Sequence, residues 1–169
     1  QIKFFLGIVA NAGEMKLTKN GFLPVKVVAE LYAQGFMKEA HIESGIVKLY
    51  KETDSLTVNV TRIIAEMSGL VKRQKNVLRI TKSGEKLINN NYELFNLIFS
   101  TYTIKFNWSH NDGYGNNQIG QLGFCFTLLL LAKYGKEERP EQFYTEKYFK
   151  AFPQLLDIVN PTYSTLEKY

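Results

Sequence analysis

The chain has 169 residues, 45% of them hydrophobic and 14% aromatic, enough apolar material to bury a core and too much for wholesale disorder. A single cysteine, Cys125, excludes an internal disulfide and suits a reducing compartment, so a cytoplasmic protein is expected. The net charge of +5 is uneven: residues 1 to 90 hold 14 Lys or Arg against 8 Asp or Glu, and residues 91 to 169 hold 7 against 8.

In chain order, Ile2 to Ala12 reads as a short helix stopped by Gly13, and Met15 to Thr18 as a brief strand. Pro24 opens a helix in which Val25, Val28, Leu31 and Tyr32 recur at helical spacing up to Gly35. Gly45 to Tyr50 fits a strand or a helical turn, with the strand preferred. Asp54 or Ser55 caps the next helix, where Leu56, Val60, Ile63, Ile64 and Met67 share the expected apolar face and Thr57, Asn59, Thr61, Arg62 and Glu66 lie opposite. Gly69 ends it. Strands are then predicted over 70 to 73 and 77 to 81 around the turn Gln74-Lys75-Asn76. Thr81-Lys82-Ser83-Gly84 starts a helix through Leu87 and Ile88, and echoes Leu17-Thr18-Lys19-Asn20-Gly21, which fits either two copies of one larger unit or, as preferred, two strand-to-helix turns that need a glycine.

From Tyr92 a helix reaches about Trp108, with Leu94, Phe95, Ile98, Phe99 and Tyr102 on one side. A loop runs from Ser109 to Asn117. The helix from about Gln118 to Tyr134 is apolar nearly all round, as for the centre of a bundle, and stops at Gly135. Pro140 opens a helix carrying Phe143, Tyr144, Tyr148, Phe149 and Phe152, which Pro153 must break, and Gln154 to Val159 follows as a short helix before a polar tail. The fold expected is therefore α+β and mostly helical. Its first part spans about 1 to 90 and carries the hairpin; a helical part spans about 91 to 169, packed on the first or continuous with it as one domain.

Val60 to Arg73, then Leu78-Arg79-Ile80-Thr81-Lys82-Ser83-Gly84 and Leu87, resemble the recognition-helix and wing region of winged-helix regulators, over about residues 55 to 88. The resemblance implies DNA binding, with the helix in the major groove and the wing on phosphates or the minor groove, and assigns Asn59, Arg62, Lys72, Arg73, Lys75 and Arg79 to nucleic acid. Residues 36 to 53 supply no clear supporting helix. The whole chain also resembles an uncharacterised bacterial family in which a similar wing precedes a helical part; Phe106-Asn107-Trp108 and Asp112-Gly113-Tyr114 match its loop, and no activity comes with it.

Lys72, Arg73, Lys75, Arg79, Lys82 and Lys86 stand against Glu85 alone, a density that serves either as a footprint for DNA or RNA or as a solvated hairpin. The alternative partner is protein, or a second copy of the chain. No signal peptide is visible, and the apolar run around Leu128 to Ala132 is far shorter than the roughly 20 residues a membrane span needs. Because the chain starts at Gln1, its termini are not read as natural boundaries. His110 beside Asp112 has no nucleophile placed with it, and the loop from Trp108 to Asn117 lacks a phosphate-loop ending. His41, His110 and Cys125 stand far apart, with Cys125 expected as an inert buried thiol. The reading is a non-enzyme without metal or cofactor.

Overall fold

The computed structural model describes residues 1 to 110 and 119 to 157, in two compact units, Gln1–Phe106 and Asn107–Tyr169. Among the described residues it is an α+β fold, mostly helical, with one three-stranded antiparallel sheet. No described helix is long and apolar enough to cross a membrane.

The first unit begins with α1 (Ile2–Ala12), which buries Phe5, Leu6 and Val9 and ends where Gly13 turns left-handed at φ 62°. Strand β1 (Met15–Lys16) leads through a turn to α2 (Val25–Tyr32), entered from the extended Pro24, and then to the four-residue α3 (Ala40–Glu43). Helix α4 (Leu56–Met67) feeds strands β2 (Val71–Gln74) and β3 (Val77–Ile80), followed by α5 (Lys82–Leu87) and α6 (Asn91–Ser100). The sheet order is β1-β3-β2, with Val71 opposite Ile80 and Met15 opposite Leu78. Leu6, Val28, Leu31, Val58, Leu70 and Leu78 meet in one core, which also takes in Leu94 of α6. The unit therefore extends to Phe106, beyond the boundary expected near Asn89, because the α6 stripe of Leu94, Leu97 and Ile98 is already used against this core.

Three local expectations change. Residues 45 to 50 are not a strand: Gly45 turns left-handed at φ 75°, Ile46 is 80% exposed, and a lone strand has no partner to satisfy its backbone. Helix α4 is rotated from its expected face. Val58, Thr61, Arg62 and Ala65, spaced i, i+3, i+4, i+7, turn inward with Ile64, while Leu56 and Met67 are exposed. Helix α6 stops at Ser100 and widens into a π turn over Thr101–Lys105, closed by the Phe106 N–H donating to the Thr101 carbonyl, rather than running as α-helix to Trp108.

The second unit pairs α7 (Phe124–Tyr134) with α8 (Glu141–Ala151) around Tyr148, Phe149 and Leu155, with Phe126 and Phe152 packed alongside. Gly123 caps α7 at φ 74°, and a Cβ there would collide with the Phe152 ring. Tyr148 ties the turn before α7 in place, accepting from the Gly120 N–H at 3.0 Å and donating to the Leu122 carbonyl. Contrary to expectation, α7 is not central among the described residues. There α8 covers one stripe of it, with Leu130 buried and Leu128, Leu129, Leu131 and Cys125 exposed. Helix α8 ends before Pro153, as the ring requires, and a 3-10 turn follows over Pro153–Leu155. Asp112-Gly113-Tyr114 and the polar tail lie outside the described residues.

Candidate nucleic-acid interface

Strands β2 and β3 close with Gln74 opposite Val77, leaving Lys75 and Asn76 as the two turn residues. Both have positive φ, 47° and 62°, the conformation of a type I′ hairpin, whose twist matches that of the strands. Asn76 suits this position because its short side chain tolerates the left-handed region. It also fastens the tip. Its Nδ2 donates to the carbonyls of Leu17 at 3.1 Å and Thr18 at 2.8 Å, and its own carbonyl accepts from the Leu17 N–H at 2.9 Å. The hairpin tip is thus tied to the turn after β1.

Alternation along the strands sorts the charges. Val71, Leu78 and Met15 face the core, so Lys72, its partner Arg79, and Lys16 opposite Val77 share the outer face of the sheet. Lys16, Lys72 and Lys75 are exposed and, among the described residues, form no ion pair. Arg79 is occupied by Glu14, with Nε at 3.0 Å and Nη2 at 2.5 Å from the same carboxylate oxygen. Arg73 lies on the core-facing side at the sheet edge. Its guanidinium folds over Gly21 and donates to Asn76 Oδ1 at 3.4 Å. Lys16 was not singled out from the sequence, since only the sheet order brings β1 alongside β3.

The α4 residues are placed differently from the sequence expectation. Arg62 is buried: its Nη1 donates to Glu52 Oε2 at 2.8 Å and to the Gly21 carbonyl at 2.8 Å, and its Nε to Glu66 Oε1 at 2.7 Å. Burial opposes the charge, but the Glu66 and Glu52 carboxylates outweigh it and hold the guanidinium above its ordinary pKa. Glu52 is shared further, accepting from the Leu23 N–H at 2.7 Å and from Asn59 Nδ2 at 3.4 Å. Asn59 and Arg62 therefore converge on Glu52 and not on an open face. The long reach of Arg62 allows this burial, since its apolar stem packs inside while its fork finds two carboxylates and a carbonyl.

The N-terminus of α4 is capped twice. Ser55 Oγ accepts from the Val58 N–H at 3.2 Å, as the sequence predicts, and Glu39 accepts from the N–H groups of Leu56 at 3.0 Å and Thr57 at 3.1 Å. A carboxylate at the positive end of the helix dipole is favourable. Burial raises the Glu39 pKa, yet the hydrogen bonds from Ser55, Thr57 and Leu56 prevail and leave it below its ordinary value.

Beside α4 an open apolar cavity of about 600 Å³ is lined by Ile2, Val60, Ile64, Leu94, Phe95 and Ile98, among others. The Lys3 ammonium at its edge donates to Asn91 Oδ1 at 2.8 Å. His41 sits 3.5 Å from Glu39, Cys125 is in the other unit, and among the described residues no three His, Cys, Asp or Glu are grouped as metal ligands. No family model, curated protein or solved structure matches the chain.

Proposed function

We propose that the chain binds the sugar–phosphate backbone of nucleic acid with little sequence preference, through the outer face of its hairpin, in keeping with its resemblance to winged-helix regulators. One observation carries the reading: a hairpin whose tip is fastened by Asn76 holds Lys72 and Lys75 outward and, among the described residues, without an ion pair, with Lys16 beside them. A ribbon fastened at its tip needs no backbone rearrangement to bring these cations to phosphate. Weak sequence preference follows because Asn59 and Arg62, the groups of α4 best suited to base edges, are bound to Glu52. Duplex titrations across a range of salt test this. Affinity should fall linearly on a log–log plot, and absence of binding at low salt would refute the reading.

A second reading, a protein-interaction module, is favoured by the apolar cavity along α4 and α6 and by the exposed Phe95 at its edge. It predicts self-association or partner capture that survives neutralisation of the hairpin lysines.

A further inference from the structure

The chain's second unit has no excess of positive charge in its sequence, yet folding gathers three of its cations around one feature. Tyr134 of α7 and Phe143 of α8 meet edge-on, with centroids 5.2 Å apart. The ammonium groups of Lys133 and Lys147 lie 5.2 Å and 5.1 Å from the Tyr134 centroid, and the Arg139 guanidinium lies 5.7 Å from it. Lys147 and Arg139 also approach Phe143, at 4.7 Å and 4.8 Å. Next to this pair a groove of about 330 Å³ runs between α7 and α8. Its walls include Phe126, Leu129, Leu130 and Tyr134, and its remaining charged lining is Lys133, Lys147 and Lys150, with no carboxylate.

Ring faces attract each cation, but they do not remove the repulsion between like charges drawn to the same rings. Of Lys133, Arg139, Lys147 and Lys150, only Arg139 has a carboxylate partner among the described residues, Glu137 at 2.5 Å. An anion seated among the lysines relieves that repulsion. The groove also selects the kind of anion. A ligand with one carboxylate would leave most of the lysines unsatisfied, whereas a flat apolar group flanked by repeated anionic groups uses both the aromatic wall and the spread of charge. Lys147 and Lys150 are three residues apart on α8, and so lie on neighbouring positions of one helix face, with Lys133 across the groove on α7.

We propose that the α7–α8 groove is a second nucleic-acid site, selective for single strands: an unstacked base enters against Tyr134 and the flanking phosphates pair with Lys133, Lys147 and Lys150. Duplex is disfavoured, since its bases are held in the stack and cannot enter a groove between helices. The inference rests on the nucleic-acid reading of the hairpin and adds a substrate class to it.

Anisotropy titrations of the full chain against a short fluorescent oligothymidylate, and against a duplex of the same length, test both sites. Native protein should bind both. Replacing Lys133, Lys147 and Lys150 with Gln should weaken single-strand binding by about tenfold or more, as loss of several phosphate contacts implies, and leave duplex binding unchanged. Lys150→Glu alone, at an exposed position that cannot upset packing, should act in the same direction. Single-strand affinity unchanged in these variants, with duplex binding intact, would overturn the groove assignment and leave the hairpin reading standing. Absence of binding to either oligonucleotide would remove both. Capture of phosphatidylserine vesicles in place of the single strand would also overturn it.

Discussion

Arg62 Nη1 and Glu52 Oε2 are 2.8 Å apart with side chains 8% and 3% exposed, and this ion pair joins α4 to the turn before it and, through the Gly21 carbonyl, to the turn after β1. Removing Arg62 leaves the Glu52 carboxylate in the interior without a cation, which typically costs about 3–5 kcal/mol, whereas removing Glu52 leaves Arg62 still paired with Glu66. Arg62→Ala should destabilise the chain by that order in urea denaturation, and Glu52→Ala by less. The double variant should cost less than the sum of the two. Nucleic-acid affinity, measured where the Arg62→Ala protein is still folded, should stay close to native.

The hairpin lysines should behave in the opposite way. Replacing Lys16, Lys72 and Lys75 with Ala is expected to lower duplex affinity by a similar factor for unrelated sequences, and to flatten the salt dependence by about 0.9 in log–log slope for each lysine that meets a phosphate. Thermal melting should move little, because exposed substitutions of this kind usually shift stability by no more than about 0.5 kcal/mol. An unchanged slope would show that these lysines do not touch phosphate.

Asn76 combines a backbone role with a side-chain role, and two substitutions separate them. Asn76→Gly keeps the left-handed turn accessible and removes the side-chain bonds to the Leu17 and Thr18 carbonyls, about 0.5–1.5 kcal/mol each, together with the long contact from Arg73 to its Oδ1. Asn76→Ala loses the same bonds and adds left-handed strain of about 1–2 kcal/mol. The expected order of stability by chemical denaturation is native, then Gly, then Ala. Equal stability of the two variants would mean the tip relaxes out of its type I′ turn.

Glu39 makes α4 sensitive to acid. Its carboxyl is held below its ordinary value of 4.5 in the folded chain, so its contribution is fully present above that value. The contribution is lost as pH falls through the lower, folded pKa. Glu39→Gln, which cannot ionise, should therefore be less stable than native protein at neutral pH, and the gap should narrow steadily as pH drops below about 4.5. Denaturation midpoints of both proteins across that range check the sign; a gap that widened in acid would contradict the capping role.

Much of the fold was legible because it depends on local chemistry. Gly13 and Gly69 ending helices, Ser55 starting α4, and the alternation around Lys75-Asn76 all act within a few residues, and each is found where its chemistry predicts. The echo between Thr18-Lys19-Asn20-Gly21 and Thr81-Lys82-Ser83-Gly84 was visible too, but its two glycines answer different needs. Gly21 supplies a left-handed φ of 79° beneath Arg73, whereas Gly84 sits in a helical turn so close to the Leu70 carbonyl and Ile80 that a Cβ would collide with both. The candidate surface was legible only in part. Hydrophobic ranking placed Arg62 outward and Leu56 inward, because periodicity reports which residues share a face and not whether distant partners can neutralise a charge inside.

Sequence by itself determined the longer helices other than the end of α6, the hairpin and the excess of positive charge in the first half, since capping, turn chemistry and side-chain alternation are short-range; the four-residue α3 was not legible. Tertiary structure alone decided which cations are available. Glu52, ten residues before Arg62, and Glu14, sixty-five before Arg79, withdraw those two arginines, while the sheet order sets Lys16 in the strand beside β3 and the α7–α8 pairing gathers Lys133 and Lys147. The physical reason is that charge pairing acts through space over a few ångströms, and only the folded chain determines which charges come that near.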